Sequence, residues 1–126
     1  MKKLHVFISQ PMNGVKIKDI TERREVMVQT LAREVEKSTT LTYKVDFDIE
    51  VINPITRKSR PIGAGRLWYL GQAISDMDKA DVVIFDTDAM QKAHGCKIEY
   101  VVATEYAKPM YTITSPILGE IKRYLR

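Results

Sequence analysis

The sequence predicts an α/β fold: a three-layer, flavodoxin-like (Rossmann-like) domain on a parallel sheet of four to five strands. Three observations predict it. Short apolar runs rich in β formers alternate with segments of helical period, the order that builds a parallel sheet. The runs at residues 4–9 and 82–85 are apolar on both faces, as strands are when helices cover both sides of a sheet. The chain of 126 residues has no internal repeat, linker or low-complexity tract, so residues 1–126 read as one domain. Right-handed crossovers then distribute the helices over both faces.

Residues 4–9 are the first strand, apolar apart from His5. Gln10-Pro11 ends it, because proline cannot continue a ladder. Over residues 17–37 the period is helical: Ile20, Met27, Leu31 and Val35 recur at spacings of four and seven, with charges opposite. Asp19 followed by Glu22 has the spacing of a capping box, which predicts Asp19 as the N-cap. Residues 38–42 form a polar, β-branched break.

Residues 43–52 alternate, with Tyr43, Val45, Phe47, Ile49 and Val51 against Lys44, Asp46, Asp48 and Glu50. That pattern predicts a half-exposed strand or strand pair at a sheet edge, closed by Asn53-Pro54. Residues 56–65 read as a mobile loop. A second helix spans residues 66–79, with Leu67, Leu70, Ile74 and Met77 as its buried stripe. A buried strand follows at 82–85, a loop at 86–93 and a third helix at 94–106. Lys108-Pro109 breaks that helix, residues 110–114 give a fourth strand, and Ser115-Pro116 opens a short terminal helix.

Composition narrows the function classes. An apolar fraction of 44% and a charged fraction of 29% suit a folded soluble domain. The single cysteine, Cys96, excludes a disulfide scaffold. No apolar run approaches the roughly 18–20 residues that span a bilayer, so no membrane partner is expected. The first apolar stretch stops after about six residues, too few for a secretory signal, which predicts a cytoplasmic protein. The net charge of +4 comes from bases scattered among 16 acids. That argues against binding a nucleic-acid polymer and stays compatible with a small anionic ligand such as a nucleotide. His5 and His94 lack metal-ligand spacing, so neither a metal nor another cofactor is expected.

In open parallel α/β sheets, ligands bind outside the carboxyl ends of the strands. This rule selects residues 9–14, 53–57, 86–95 and 114–116. The first of these is Ser9, Gln10, Pro11, Met12, Asn13 and Gly14, a tight turn that can cradle a phosphate or a sugar. It is neither a P-loop nor a dinucleotide fingerprint, and a plain strand-to-helix turn accounts for the same residues. The second signal is Gly95-Cys96-Lys97-Ile98-Glu99. Gly95 and Glu99 share one helix face, and Gly95 leaves room for a ligand. A carboxylate in a first helical turn is favoured in its ionised form by the helix dipole, and such a group can act as a nucleophile. Acids are also common in first turns for the dipole alone. Cys96 reads as a small apolar filler, and Arg57, Lys58 and Arg60 as a solvated loop.

Five segments occur in order: residues 7–14 (FISQPMNG), 51–54 (VINP), 68–71 (WYLG), 80–83 (ADVV) and 95–99 (GCKIE). Together they resemble the nucleoside 2-deoxyribosyltransferase-like superfamily, and within it a small branch found in phages and their bacterial hosts. The resemblance covers nearly the whole chain, and the two end motifs are its most specific parts. It implies a flavodoxin-like fold and homo-oligomers with sites near subunit interfaces. It also implies cleavage or transfer at the N-glycosidic bond of a nucleoside or nucleotide, as a transferase or hydrolase (N-glycosidase). The nucleophile that takes the sugar maps onto Glu99, and the substrate-contacting loop onto residues 9–14. Asn53, Trp68, Gln72, Asp86, Asp88 and Gly95 complete the expected substrate-binding set.

One position departs from the family pattern. Related enzymes carry an Asp eight residues before the Asp of the Ala-Asp-Val-Val strand, and here that position is Ala73. Asp76 and Asp78 stand near the wrong end of their helix, whose first turns offer Trp68, Tyr69 and Gln72. Gln10 also stands where relatives often carry Gly. Either another acid serves, with Asp86 and Asp88 the candidates, or the chain is a non-catalytic nucleotide-binding module, a sensor or sponge. A chain this short leaves little for a lid, so closing the site is expected to need a neighbouring subunit.

Overall fold

A computed structural model describes residues 2–12, 14–39, 47–52, 62–63 and 65–113. Eight elements follow in chain order: β1 (Lys2–Ser9), α1 (Ile17–Thr39), β2 (Phe47–Val51), α2 (Arg66–Asp78), β3 (Val82–Phe85), α3 (Ala89–Lys92), α4 (His94–Glu105) and β4 (Met110–Thr112). The four strands form one all-parallel sheet in the order β2-β1-β3-β4. The predicted three-layer, flavodoxin-like α/β architecture is the one observed.

Burial on both faces sets the layers. Leu4, Val6, Ile8, Val82 and Ile84 point to one face and pack with Met27 and Leu31 of α1. Phe7, Val83 and Phe85 point to the other and pack with Met77, Ala80 and Ala103 from the α2 and α4 side. Alternation along β1 thus feeds two cores, and each large apolar side chain so buried contributes on the order of 1.5–3 kcal/mol. The register brings Ser9 opposite Phe85, and Asp86 N–H donates to Ser9 O at 2.9 Å. The carboxyl ends of the two central strands therefore lie side by side. Among the described residues β2 is an edge strand, as its alternation predicts, with Ile49 and Val51 packed on the core and Glu50 exposed.

Several expectations need correction. Asp19 is not an N-cap: Ile20 N–H already bonds Lys16 O at 3.0 Å, so Asp19 lies inside the first turn. α1 runs through Ser38 and Thr39, since two poor helix formers at an end do not stop a 23-residue amphipathic helix. Leu67 is 81% exposed, not buried. The face of α2 that meets the sheet holds Ala73 and Met77, and Leu67 lies roughly 120° around the helix from Ala73. Leu70 and Ile74 are half-buried. The stretch 86–93 contains α3, a single turn too short to show a period. Residues 40–46, 53–61 and 114–126 lie outside the described residues, and with them Tyr43, Val45, the loop arginines and the terminal helix; the side chain of Val35 does too.

Candidate active site

The site begins where β1 ends. Ser9 and Gln10 are buried, with relative exposures of 1% and 6%. A buried amide must find partners, and Gln10 finds both on α1. Its Nε2 donates to Ile20 O at 3.2 Å, and its Oε1 accepts from Arg24 Nε at 2.6 Å. After Pro11, Val15 N–H donates to Met12 O at 3.1 Å, across a turn in which Gly14 takes φ +77°. That left-handed backbone is open to glycine at no steric cost.

Two arginines of α1 reach this edge. Arg24 is 6% exposed, and burial lowers its guanidinium to about 10 while the Glu99 charge pulls the other way. Arg23 holds Asp86 at the end of β3: Nε donates to both carboxylate oxygens at 3.0 and 3.1 Å, and Nη2 donates to Oδ1 at 2.6 Å. Those bonds raise the Arg23 pKa above its ordinary value. Asp86 Oδ1 also accepts from Thr87 N–H at 2.7 Å.

Glu99 approaches the same edge from α4. It is 8% exposed, and burial pushes its carboxyl up to about 7, with the Ser9 hydroxyl and the Arg24 charge acting the other way. Burial here works against the ionised form that a first-turn carboxylate would favour. α4 starts at His94, which puts Glu99 in the second turn, where the dipole fades and desolvation dominates. Ser9 Oγ and Glu99 Oε2 are both buried and lack a hydrogen-bond partner of full geometry among the described residues. Cys96 is 2% exposed; burial pushes its thiol up to about 11, as the filler reading requires. The neighbouring Glu99 and Asp86 charges push the same way, against the Ser9 hydroxyl.

The structure brings Ser9, Gln10, Asp86 and Glu99 together and adds Arg23 and Arg24, which the motifs do not single out. Arg24 had a signal of its own. It stands four residues after Ile20 and three before Met27, on the buried stripe of α1. Trp68 is half-buried in the first turn of α2, its ring edge-on to Tyr69 with centroids 5.0 Å apart; Gln72 is exposed. Pro11 is half-buried and Met12 exposed. Asp88 is exposed in left-handed backbone at φ 56°. Gly95 is exposed, and a Cβ built there would meet open space. Ala73 packs against the apolar cluster of Phe7, Met77 and Val83. Asn13 and Asn53 lie outside the described residues.

Among the described residues, no cluster of His, Cys, Asp and Glu is arranged to hold a metal ion, and no helix is long and apolar enough to cross a membrane. Comparison with protein-family models, curated proteins and solved structures finds no match to this chain.

Proposed function

We propose that this chain is an enzyme that cleaves, or transfers a deoxyribosyl group across, the N-glycosidic bond of a nucleoside or nucleotide, with Glu99 as nucleophile. The observation that supports it is the position of Glu99: a buried carboxyl with an unsatisfied oxygen, at the carboxyl edge of a parallel sheet. Glu99, as its carboxylate, attacks the anomeric carbon. The bond to the base breaks, the base leaves with the electron pair, and solvent supplies its proton. Water or a second base then takes the sugar. With a carboxyl poised at about 7, a useful share of Glu99 is ionised at neutral pH. The open space at Gly95 suits an approaching sugar. Incubation with a panel of nucleosides and their monophosphates, followed by chromatography for free base, tests the reading. Release of a base supports it, and no release across the panel overturns it.

A second reading is favoured by two observations. Ala73 packs half-buried against the apolar cluster, and Asp86 is bonded to Arg23, so neither gives Glu99 a free acid beside it. On this reading the chain is a nucleotide-binding module that holds its ligand without turnover. It predicts ligand-dependent thermal stabilisation with no free base. The enzyme reading further places the chain in the cytoplasm as a homo-oligomer, with a neighbouring subunit closing the site. A dilute monomer with full activity would remove that last part.

A further inference from the structure

α4, which carries Glu99, is packed on the sheet by Ala103 at its far end, and its start rests on α3. α3 is a single turn, and a helix that short does not hold itself in water. Its N-cap residue, Asp88, makes no side-chain cap bond. α3 passes into α4 through Ala93, whose backbone is extended at φ −141° and ψ 131°. Two bonds bridge that break: Ala93 N–H donates to Ala89 O at 3.0 Å, and Lys97 N–H donates to Ala93 O at 3.2 Å. The entry of α4 therefore follows from where α3 begins. Asp86 sets that point. Ala89 N–H donates to Asp86 O at 3.1 Å, Thr87 N–H donates to Asp86 Oδ1 at 2.7 Å, and Asp86 N–H donates to Ser9 O at 2.9 Å. One residue thus joins the ends of β1 and β3 to the first turn of α3.

We propose that Arg23 is a positioning residue for the proposed reaction: through Asp86 it fixes the start of α3, and so the entry of the helix that brings Glu99 to the sheet edge. This rests on the reading of Glu99 as the reacting group. The Arg23 guanidinium holds the Asp86 carboxylate by three bonds of 2.6–3.1 Å, and the Asp86 side chain is only 12% exposed. A surface ion pair fixes little, whereas a largely desolvated carboxylate held through two nitrogens of one guanidinium has a fixed orientation. α1 covers one face of the sheet and α4 the other. The pair therefore couples the two helical layers at the edge where the strands end. From there the path is continuous: Arg23 to Asp86, Asp86 to Ala89, Ala89 to Ala93 and Ala93 to Lys97, each step a hydrogen bond, with Glu99 two residues on in the same helix.

The test has one arm without substrate and one with it. In ¹⁵N-labelled protein, amide hydrogen exchange is followed at Asp86, Ala89 and Lys97. The amides of Asp81 and Ile52, bonded to His5 O and Val6 O elsewhere on the sheet, are the references. Arg23→Met is expected to speed exchange at the first three by about tenfold or more beyond any change at the references. Arg23→Lys, which keeps a charged donor, is expected to restore part of the protection. With the best nucleoside or nucleotide, Arg23→Met is expected to lower kcat on the order of tenfold or more, with KM within about twofold. Unchanged exchange, or equal acceleration at all five amides, overturns the proposal. A raised KM with kcat kept also overturns it, because Arg23 would then act on the ligand itself. Should Arg23→Met fail to fold, Arg23→Lys and Asp86→Asn decide by the same readings. Absent base release by the wild type, with the local acceleration intact, would remove the glycosidic reading and leave the anchoring of α4, so the two failures are separable.

Discussion

The Arg23 guanidinium of α1 clamps the Asp86 carboxylate at the end of β3, with three donor–acceptor distances between 2.6 and 3.1 Å. This pair ties a helix of one layer to the central sheet, and it removes Asp86 from the acids free to act on a substrate. The Asp86 side chain is 12% exposed and that of Arg23 is 42% exposed. Removing Arg23 therefore leaves a largely desolvated carboxylate without its partner. Arg23→Met is expected to cost about 1–3 kcal/mol in urea unfolding, toward the lower end because the arginine is partly in water. A cost within a few tenths of zero would show that solvent replaces the pair.

Glu99 makes stability depend on pH in a definite direction. Its folded carboxyl is raised to about 7 from an ordinary 4.5, so the folded state holds this proton more tightly than the unfolded chain. Its contribution is fully present below about pH 4.5 and is lost as pH rises through about 7, by about 3 kcal/mol in all. Subtracting the unfolding free energy of Glu99→Gln at each pH isolates this term. A difference that stays flat between those limits contradicts the burial account. Activity is expected to run the opposite way and rise through about pH 7 as Glu99 ionises.

Ala73 stands in an apolar cluster, half-buried on α2 against Phe7, Met77 and Val83. Ala73→Asp would place a carboxyl among side chains that offer it no donor. A loss of about 2–4 kcal/mol is expected by thermal or chemical unfolding. A neutral effect, or a gain of activity, would mean that this face of α2 admits the acid after all.

Gly95 is required neither by positive φ nor by close packing, since a Cβ there meets open space. Gly95→Ala is expected to leave stability unchanged or raise it by up to about 1 kcal/mol through helix propensity. If a sugar crosses this point, the same change weakens ligand binding, which calorimetry with the best ligand measures. Destabilisation would point to a packing role that the described residues do not show.

The scaffold was largely legible in the sequence because its signals are local. The apolar runs at β1 and β3 mark central strands, and the alternation at Ile49, Glu50 and Val51 marks an edge. Leu67 misled because an apolar residue at helical spacing says nothing about where the sheet ends beneath it. α3 was hidden because four residues complete barely one turn. The site was half legible. Ser9 and Asp86 lie at positions that parallel topology selects, and Glu99 was singled out by its spacing from Gly95, but Arg23 and Arg24 look like any charges on an amphipathic helix until α1 is laid beside the β1 and β3 ends. The surroundings of Glu99 were illegible for a related reason. The helix dipole can be read from position, whereas desolvation depends on which elements close over the carboxyl.

The central claim is that Glu99 is the group that takes the sugar. Its most direct test is release of free base from the best nucleoside or nucleotide by the wild-type chain and by Glu99→Gln, side by side at a pH just above 7, with folding checked for both. The account predicts measurable release by the wild type and a loss on the order of 10³-fold or more in the variant. Equal release by the two proteins would contradict it.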